Sequence, residues 1–347
     1  MGNLGMNPDI IKTARILTAG DKGLLAMDES TDTCNKRFAD MGIAQTEEMR
    51  RKYRQLIVTT PGLESAISGV ILYDETIRQK AGDGKPFLQI LADAGIIVGI
   101  KVDTDAKDLA GHPGEKITEG LDGLRERLQE YFAMGARFAK WRGVITIGEN
   151  IPSRGCIAAN AHALARYAAL CQEVGLVAIV EPEVLMDGDH NLAQTGAATE
   201  DILRAVFEAL YLQRVALEGM ILKPNMVLPA LTSAIEVTVD EVAEATVNSL
   251  LRVVPAAVPA IAFLSGGQSP ERATAHLNAM NMRFKSAKSQ PPWALAFSFA
   301  RAIQQPALEL WRGEDANILA AQQALLHRAR CNQAARRGEY TEAMEIL

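Results

Sequence analysis

Short apolar runs recur along the chain, each set off from the next by a longer amphipathic stretch. The runs are GLLAMD (23–28), GVILYD (69–74), IIVGIKV (96–102), ARFAKWR (136–142), VAIVEPE (177–183), GMILKP (219–224), AIAFLSGG (260–267) and WALAFSF (293–299). Each is too short for an independent helix and rich in β-branched or aromatic residues. Near-continuous apolar character over so few positions predicts strands buried on both faces.

The segments between them carry helical signatures. TEEMRRKYRQLIVTT starts on a capping residue, Thr46, followed by acids. TVDEVAEATVNSLLRVV places Thr238 and Glu241 at capping-box spacing. SPERATAHLNAMN offers Ser269 as N-cap and Pro270 as first helical residue. In ATEDILRAVFEALYL the apolar positions recur every three to four residues. Eight buried strands alternating with helices, and no linker rich in Pro, Gly or Ser, predict an α/β fold. The expected form is a single-domain (β/α)8 TIM barrel over 1–347, with an N-terminal segment 1–20 and a C-terminal helix and tail 315–347 outside it. The competing doubly wound sheet would carry a Gly-rich nucleotide loop, and no GxGxxG follows the first strand.

Composition narrows the class. The 347 residues are 48% hydrophobic, enough for a large core. A net charge of −6 argues against general nucleic-acid or polybasic membrane binding, while leaving room for an anionic substrate held by local cations. No apolar run reaches the length of a membrane span, and the N-terminus lacks a signal-peptide core. Gly2 and Met6 sketch an acylation start, but position six is not Ser or Thr. Cys34, Cys156, Cys171 and Cys331 are scattered, with no CxxC, as reduced thiols of a cytoplasmic protein would be. The histidines show no HxH or HExxH spacing, so no metal site is expected. DGDH (187–190) reads as a polar turn or a support for a nearby site.

The strand ends are where a barrel places its chemistry, and here they are polar. Strand one ends in Asp28, then Glu29 and Ser30. Strand three ends at Lys101, strand four carries Lys140 and Arg142, strand five Glu181 and Glu183, and strand six Lys223. Strand seven runs into Leu264, Ser265, Gly266 and Gly267, and Arg301 follows strand eight. Alternate strand residues share a face, so Lys140 with Arg142, and Glu181 with Glu183, can aim at one cavity. Taken singly, each has an ordinary alternative: a helix cap for Asp28, a solvated rim for the cations, a plain turn for the glycines. Taken together, cations converging beside carboxylates suit a doubly anionic substrate. A lysine crowded by cations and partly desolvated has a lowered pKa, and its neutral amine can attack a carbonyl to form an imine. Neighbouring carboxylates can then move the protons.

The motifs AMDEST, YRQL, VGIKVD, FAKWR, IVEPE, DGDH, LKPNMV and FLSGGQS stand in one order along nearly the whole chain. In that order the sequence resembles the class I fructose-bisphosphate aldolases. The resemblance implies a metal-independent lyase without cofactor. It would cleave fructose 1,6-bisphosphate reversibly to dihydroxyacetone phosphate and glyceraldehyde 3-phosphate through a Schiff base on Lys223. It further implies a cytoplasmic homotetramer of glycolysis and gluconeogenesis. Glu181 is then the main acid–base carboxylate with Glu183 beside it, Asp28 acts near the hydroxyl at the scissile bond, and Lys140 steadies charge. Leu264, Ser265, Gly266, Gly267 and Arg301, with Ser298 nearby, would hold the phosphate on the ketone half. Ser30, Thr33, Arg37, Lys101 and Arg142 would handle the other end. A fold-keeping binding scaffold, or a lyase for another phosphorylated ketose, are the rival readings.

Three departures from the family pattern stand out. Thr33 replaces the usual Ser. Phe299-Ala300 replaces a common Tyr-Gly, adding a methyl where a backbone amide is expected to approach phosphate. The sequence stops at YTEAMEIL, where well-known members continue to a terminal tyrosine. Tyr340 matches an internal position instead and is expected to pack the last helix end.

Overall fold

The apolar runs pair edge to edge. In the computed structural model, which describes residues 8–285 and 291–346, eight parallel strands close into a barrel. They are β1 (Gly23–Ala26), β2 (Ile67–Leu72), β3 (Ile97–Lys101), β4 (Phe138–Ile145), β5 (Val177–Val184), β6 (Met220–Leu222), β7 (Ala260–Phe263) and β8 (Ala294–Phe299). Each pairs with its chain neighbour, and β8 returns to β1 with Leu24 opposite Ser298. Every apolar run read from the sequence is a strand, so the TIM barrel stands.

Inside the barrel, Leu24, Ala26, Ile71, Phe138, Ile179 and Ile221 form one apolar plug. The Phe138 ring fills the space beside β3, and a Cβ at Gly99 would sit 2.2 Å from it. Glycine is required there by close approach, and Gly99→Ala would force the ring or the strand to move. The helix Pro8–Leu17 closes the N-terminal end of the barrel with Ile10, Ala14 and Leu17. The helix Ile318–Arg336 packs outside the wall, against Arg301–Trp311, Pro270–Lys285 and Glu47–Val58.

The helix starts obey the capping chemistry. Thr46 accepts from the Met49 amide, Thr238 and Glu241 form a reciprocal box, and Ser269 accepts from the Arg272 amide. Four strand ends and one hairpin differ from expectation. β1 and β7 end at Ala26 and Phe263, because the residues beyond turn into loops that line the site. β4 and β5 run on together to Ile145 and Val184, in continuous register. A hairpin of Ala106–Asp108 and Lys116–Thr118 was not anticipated; its strands are three residues each and half exposed, without an apolar signal. No helix among the described residues is long and apolar enough to cross a membrane. Gly2 and Met6 lie outside the described residues.

Candidate active site

At the C-terminal ends of the strands the barrel opens into a cavity of about 480 Å³. Every residue singled out from the sequence lines it: Asp28, Ser30, Thr33, Arg37, Lys101, Lys140, Arg142, Glu181, Glu183, Lys223, Leu264 to Gly267, Ser298 and Arg301.

The floor is a chain of alternating charges. Inward positions on β4 read Phe138, Lys140, Arg142, and on β5 Val177, Ile179, Glu181, Glu183, apolar below and ionised above. Register sets Arg142 beside Glu181, and Lys101 beside Lys140. The Lys223 ammonium lies 3.2 Å from Glu181 Oε1, and Lys140 Nζ lies 2.9 Å from Glu181 Oε2 and 3.0 Å from Asp28 Oδ2. All four side chains are buried. Two cations and two carboxylates compensate one another, which is what makes burying them tolerable. Burial alone would raise the Asp28 pKa, but the charges of Lys140 and Lys223 overcome it and hold the carboxyl at about 2. Burial would likewise lower that of Lys140, yet Asp28 and Glu181 raise it, so Lys140 stays cationic. One expectation changes: Lys223 is not simply crowded by cations, because a carboxylate stands against it. The proline after it leaves a free carbonyl, and Pro224 O accepts from the Leu264 amide at 3.1 Å, tying the lysine's strand end to the glycine loop.

One side of the cavity is built from backbone. Gly266 and Gly267 have φ of +57° and +79°, values glycine tolerates without strain. Their amides donate to no other main-chain carbonyl, and Arg301 has no ion-pair or hydrogen-bond partner among the described residues. A Cβ on Gly267 would lie 3.6 Å from Arg301 Nη2. Arg301 also opens the helix Arg301–Trp311, and Ala300, its N-cap residue, lines the same cavity. Backbone amides in a left-handed turn, a helix N-terminus and an unpaired guanidinium together make an anion site. Ser298 Oγ is buried there without a partner among the described residues. Gln268 braces the loop from behind: its side chain donates to Ser265 O at 2.8 Å and meets His276 Nδ1 at 2.5 Å.

The opposite side is built from paired side chains. Arg37 donates to Glu29 at 2.6 Å, Lys101 lies 2.7 Å from Asp103 and 2.8 Å from Asp105, and Arg142 bonds Glu183 through Nε. Ser30 caps the helix Thr31–Asp40 and contacts the Thr33 hydroxyl at 3.1 Å. The departure at Thr33 therefore keeps a hydroxyl in place. Glu29, named at the end of strand one without a role, also lines the cavity, as do Asp103 and Asp105, which were missed, since nothing in a sequence marks which acid will reach which base. Gln304, also missed, joins Arg37, Tyr53 and the Ala26 carbonyl.

In DGDH, Asp187 reaches the cavity and His190 is buried behind it. The His190 carbonyl accepts from Ala230, and Met186 O from Leu231, so two loops zip together and carry Leu231 to the cavity edge. Tyr340 is buried elsewhere, donating to Glu345 at 2.6 Å, and does not line the cavity.

A family model described as fructose-bisphosphate aldolase class-I matches residues 9–346. Over 332 residues the chain is 56% identical to a probable fructose-bisphosphate aldolase class 1 of Xanthomonas campestris, covering 95% of this chain and 98% of that one. It is 51% identical to the cytosolic fructose-bisphosphate aldolase 6 of Arabidopsis thaliana, over 96% and 91% of the two chains. The solved fructose-bisphosphate aldolase of Plasmodium falciparum, in complex with TRAP and a small-molecule inhibitor, superposes with a TM-score of 0.94 at 43% identity, over 98% and 97%. The chain belongs to the class I fructose-bisphosphate aldolase family: it is a lyase that acts on phosphorylated sugar.

Proposed function

We propose that this aldolase breaks the C3–C4 bond of fructose 1,6-bisphosphate through an imine on Lys223, without a metal ion. The unbroken contact chain Lys223–Glu181–Lys140–Asp28 at the cavity floor carries this reading. A lysine nucleophile must first lose a proton, and Glu181 is one hydrogen-bond length away to take it. The neutral amine adds to the C2 carbonyl. Glu181 then protonates the carbinolamine hydroxyl, water leaves, and the nitrogen lone pair closes the protonated imine. Glu181, ionised again, takes the proton of the C4 hydroxyl. The C3–C4 electron pair flows to the imine nitrogen, and glyceraldehyde 3-phosphate departs. Return of that proton to C3 and hydrolysis of the imine release dihydroxyacetone phosphate. Asp28, held ionised, orients the C4 hydroxyl, and cationic Lys140 stabilises the oxyanion that forms there. Glu183 keeps Arg142 turned into the cavity.

In this reading the phosphate on carbon 1 sits on Ser265, Gly266 and Gly267 with Arg301 and Ser298, and the other phosphate meets Ser30, Thr33, Arg37, Lys101 and Arg142. We take the chain as one domain and, by family precedent, as a cytoplasmic homotetramer of glycolysis and gluconeogenesis. Borohydride with dihydroxyacetone phosphate is expected to inactivate the enzyme and to mark the peptide holding Lys223. Lys223→Ala is expected to lower kcat by a thousandfold or more, about 4 kcal/mol in barrier. A label on another lysine sinks the mechanism. Chelators are expected to leave cleavage unchanged; loss restored by zinc would move the protein to metal-assisted chemistry.

A further inference from the structure

Spacing alone gave no metal motif, yet folding assembles one set of ligand types away from the active-site cavity. His327 and Cys331 lie four residues apart on the helix Ile318–Arg336, a spacing that stacks two side chains on one face. Glu345 comes from the segment that crosses that face after the helix ends. One donor atom from each of the three lies within 4.8 Å of the others. We propose that His327, Cys331 and Glu345 form a binding site for a zinc-type divalent cation.

The distances fit a bound cation. His327 Nε2 and Cys331 Sγ are 3.6 Å apart. Zinc–sulfur and zinc–nitrogen bonds of about 2.3 and 2.0–2.1 Å at a tetrahedral angle put the two donors about 3.6 Å apart. In the ion-free protein the same 3.6 Å contact is a thiol–imidazole hydrogen bond, and the thiol also points at the Met344 carbonyl at 3.7 Å. Glu345 is already held by outer contacts of the kind that orient metal ligands: Tyr340 donates to Oε1 at 2.6 Å, and Arg328 binds Oε2. Each carboxylate oxygen keeps a lone pair beyond those bonds. Arg328 is in turn anchored on the Thr274 hydroxyl at 2.6 Å, so its charge belongs partly to that network. The donor set of one thiolate, one imidazole and one carboxylate suits a borderline-soft cation rather than calcium or magnesium. His327 and Glu345 are partly exposed while Cys331 is buried, so a fourth position can be filled by water from the solvent side. Binding replaces the thiol proton, which leaves to solvent, with the metal–sulfur bond. None of the three lines the active-site cavity, so the ion would clip residues 341–346 to the helix without entering the cleavage chemistry.

Cobalt(II) is the probe, because a thiolate–cobalt bond gives a near-ultraviolet charge-transfer band. The full-length metal-free enzyme is expected to bind one Co²⁺ per chain by equilibrium dialysis, with that band, and zinc is expected to displace it. Cys331→Ser and His327→Gln should each abolish the band and weaken binding at least tenfold, while both variants cleave substrate at the parent rate. Glu345→Gln should weaken binding but keep the band. Absence of the band at saturating Co²⁺, or a band that survives either Cys331→Ser or His327→Gln, overturns the proposal.

Discussion

The two sides of the active-site cavity bind charge in opposite ways. On the glycine-loop side the groups facing the cavity are spare among the described residues: main-chain amides with no other acceptor, and Arg301 with no carboxylate. On the other side every cation is already spoken for, Arg37 by Glu29, Lys101 by Asp103 and Asp105, Arg142 by Glu183. An anion arriving at the first side gains contacts and breaks none. One arriving at the second must displace a carboxylate or share a cation with it, so its net gain is smaller although the cations are more numerous. The number of basic residues is therefore a poor guide to which phosphate is gripped harder. The loop side is therefore expected to hold an anion firmly, and the paired side more loosely.

Acid should separate the two sides most strongly. His276, which braces the glycine loop through Gln268, is fully buried, and burial, reinforced by Arg272, depresses its pKa to about 4. Unfolded, it binds a proton below about pH 6.5. Between those values the unfolded state holds the extra proton, so stability falls as pH falls, by roughly 3 kcal/mol across the window. Opposite, Glu29 is partly buried, and desolvation would raise its pKa, but Arg54 and Arg37 outweigh that and lower it; Asp28 on the floor is held at about 2. The contributions of such depressed carboxylates are in place above their unfolded pKa and fade only as pH drops through the folded one, below that window. Urea denaturation of the parent and His276→Gln at about pH 6.5 and 4.5 should show a shallower loss in the variant. Equal losses would remove His276 from the account.

Arg301→Ala is expected to raise KM for the bisphosphate by about ten- to a hundredfold, roughly 1.5–3 kcal/mol for a charge-assisted contact. The penalty should nearly vanish for a ketose lacking the phosphate on carbon 1. Arg37→Ala is expected to cost less than about 1 kcal/mol in KM, because much of its charge is already offset by Glu29, which keeps Arg54 as a partner when Arg37 is lost. If Arg37→Ala proves the costlier of the two, the contrast between spare and paired cations fails.

How much of this was legible in the sequence follows from range. The strands announced themselves because burial on both faces leaves a local apolar run, and the cavity cations because they sit at the ends of those runs. Their partners could not be read: Glu29, just past a strand end, reaches Arg37 on the next helix and Arg54 on the one after it, and Asp103 folds back to Lys101. The hairpin around residues 106–118 escaped because its exposed three-residue strands carry no period. His276 read only as part of a helix, since its role depends on Gln268 folding back to it. Lys223 and Glu181 were both named from the strand ends, but their 3.2 Å contact is tertiary and could not be read along the sequence.

The smallest effect concerns Ala300, which sits where the firm side meets the helix Arg301–Trp311. It is the residue before the first helical turn, with no side-chain cap, and its methyl both lines the cavity and packs on the barrel plug. Its φ of −101° is negative, so the position does not demand glycine, and an L-residue is accommodated. The methyl nevertheless stands beside amides that an incoming phosphate must approach. Ala300→Gly removes that obstruction and supplies a better N-terminal cap, worth a few tenths of a kcal/mol; against this it loosens the unfolded chain by roughly 0.5–1 kcal/mol. Stability should therefore change by less than about 1 kcal/mol, while KM for the bisphosphate falls two- to threefold, about 0.4–0.6 kcal/mol. A matching fall for a ketose carrying only the phosphate on carbon 1, with none for one carrying only the other phosphate, would place the gain on the loop side. A KM unchanged for all three would mean that the methyl already clears the phosphate, and that the grip of this side is set by Arg301 and the glycine amides alone.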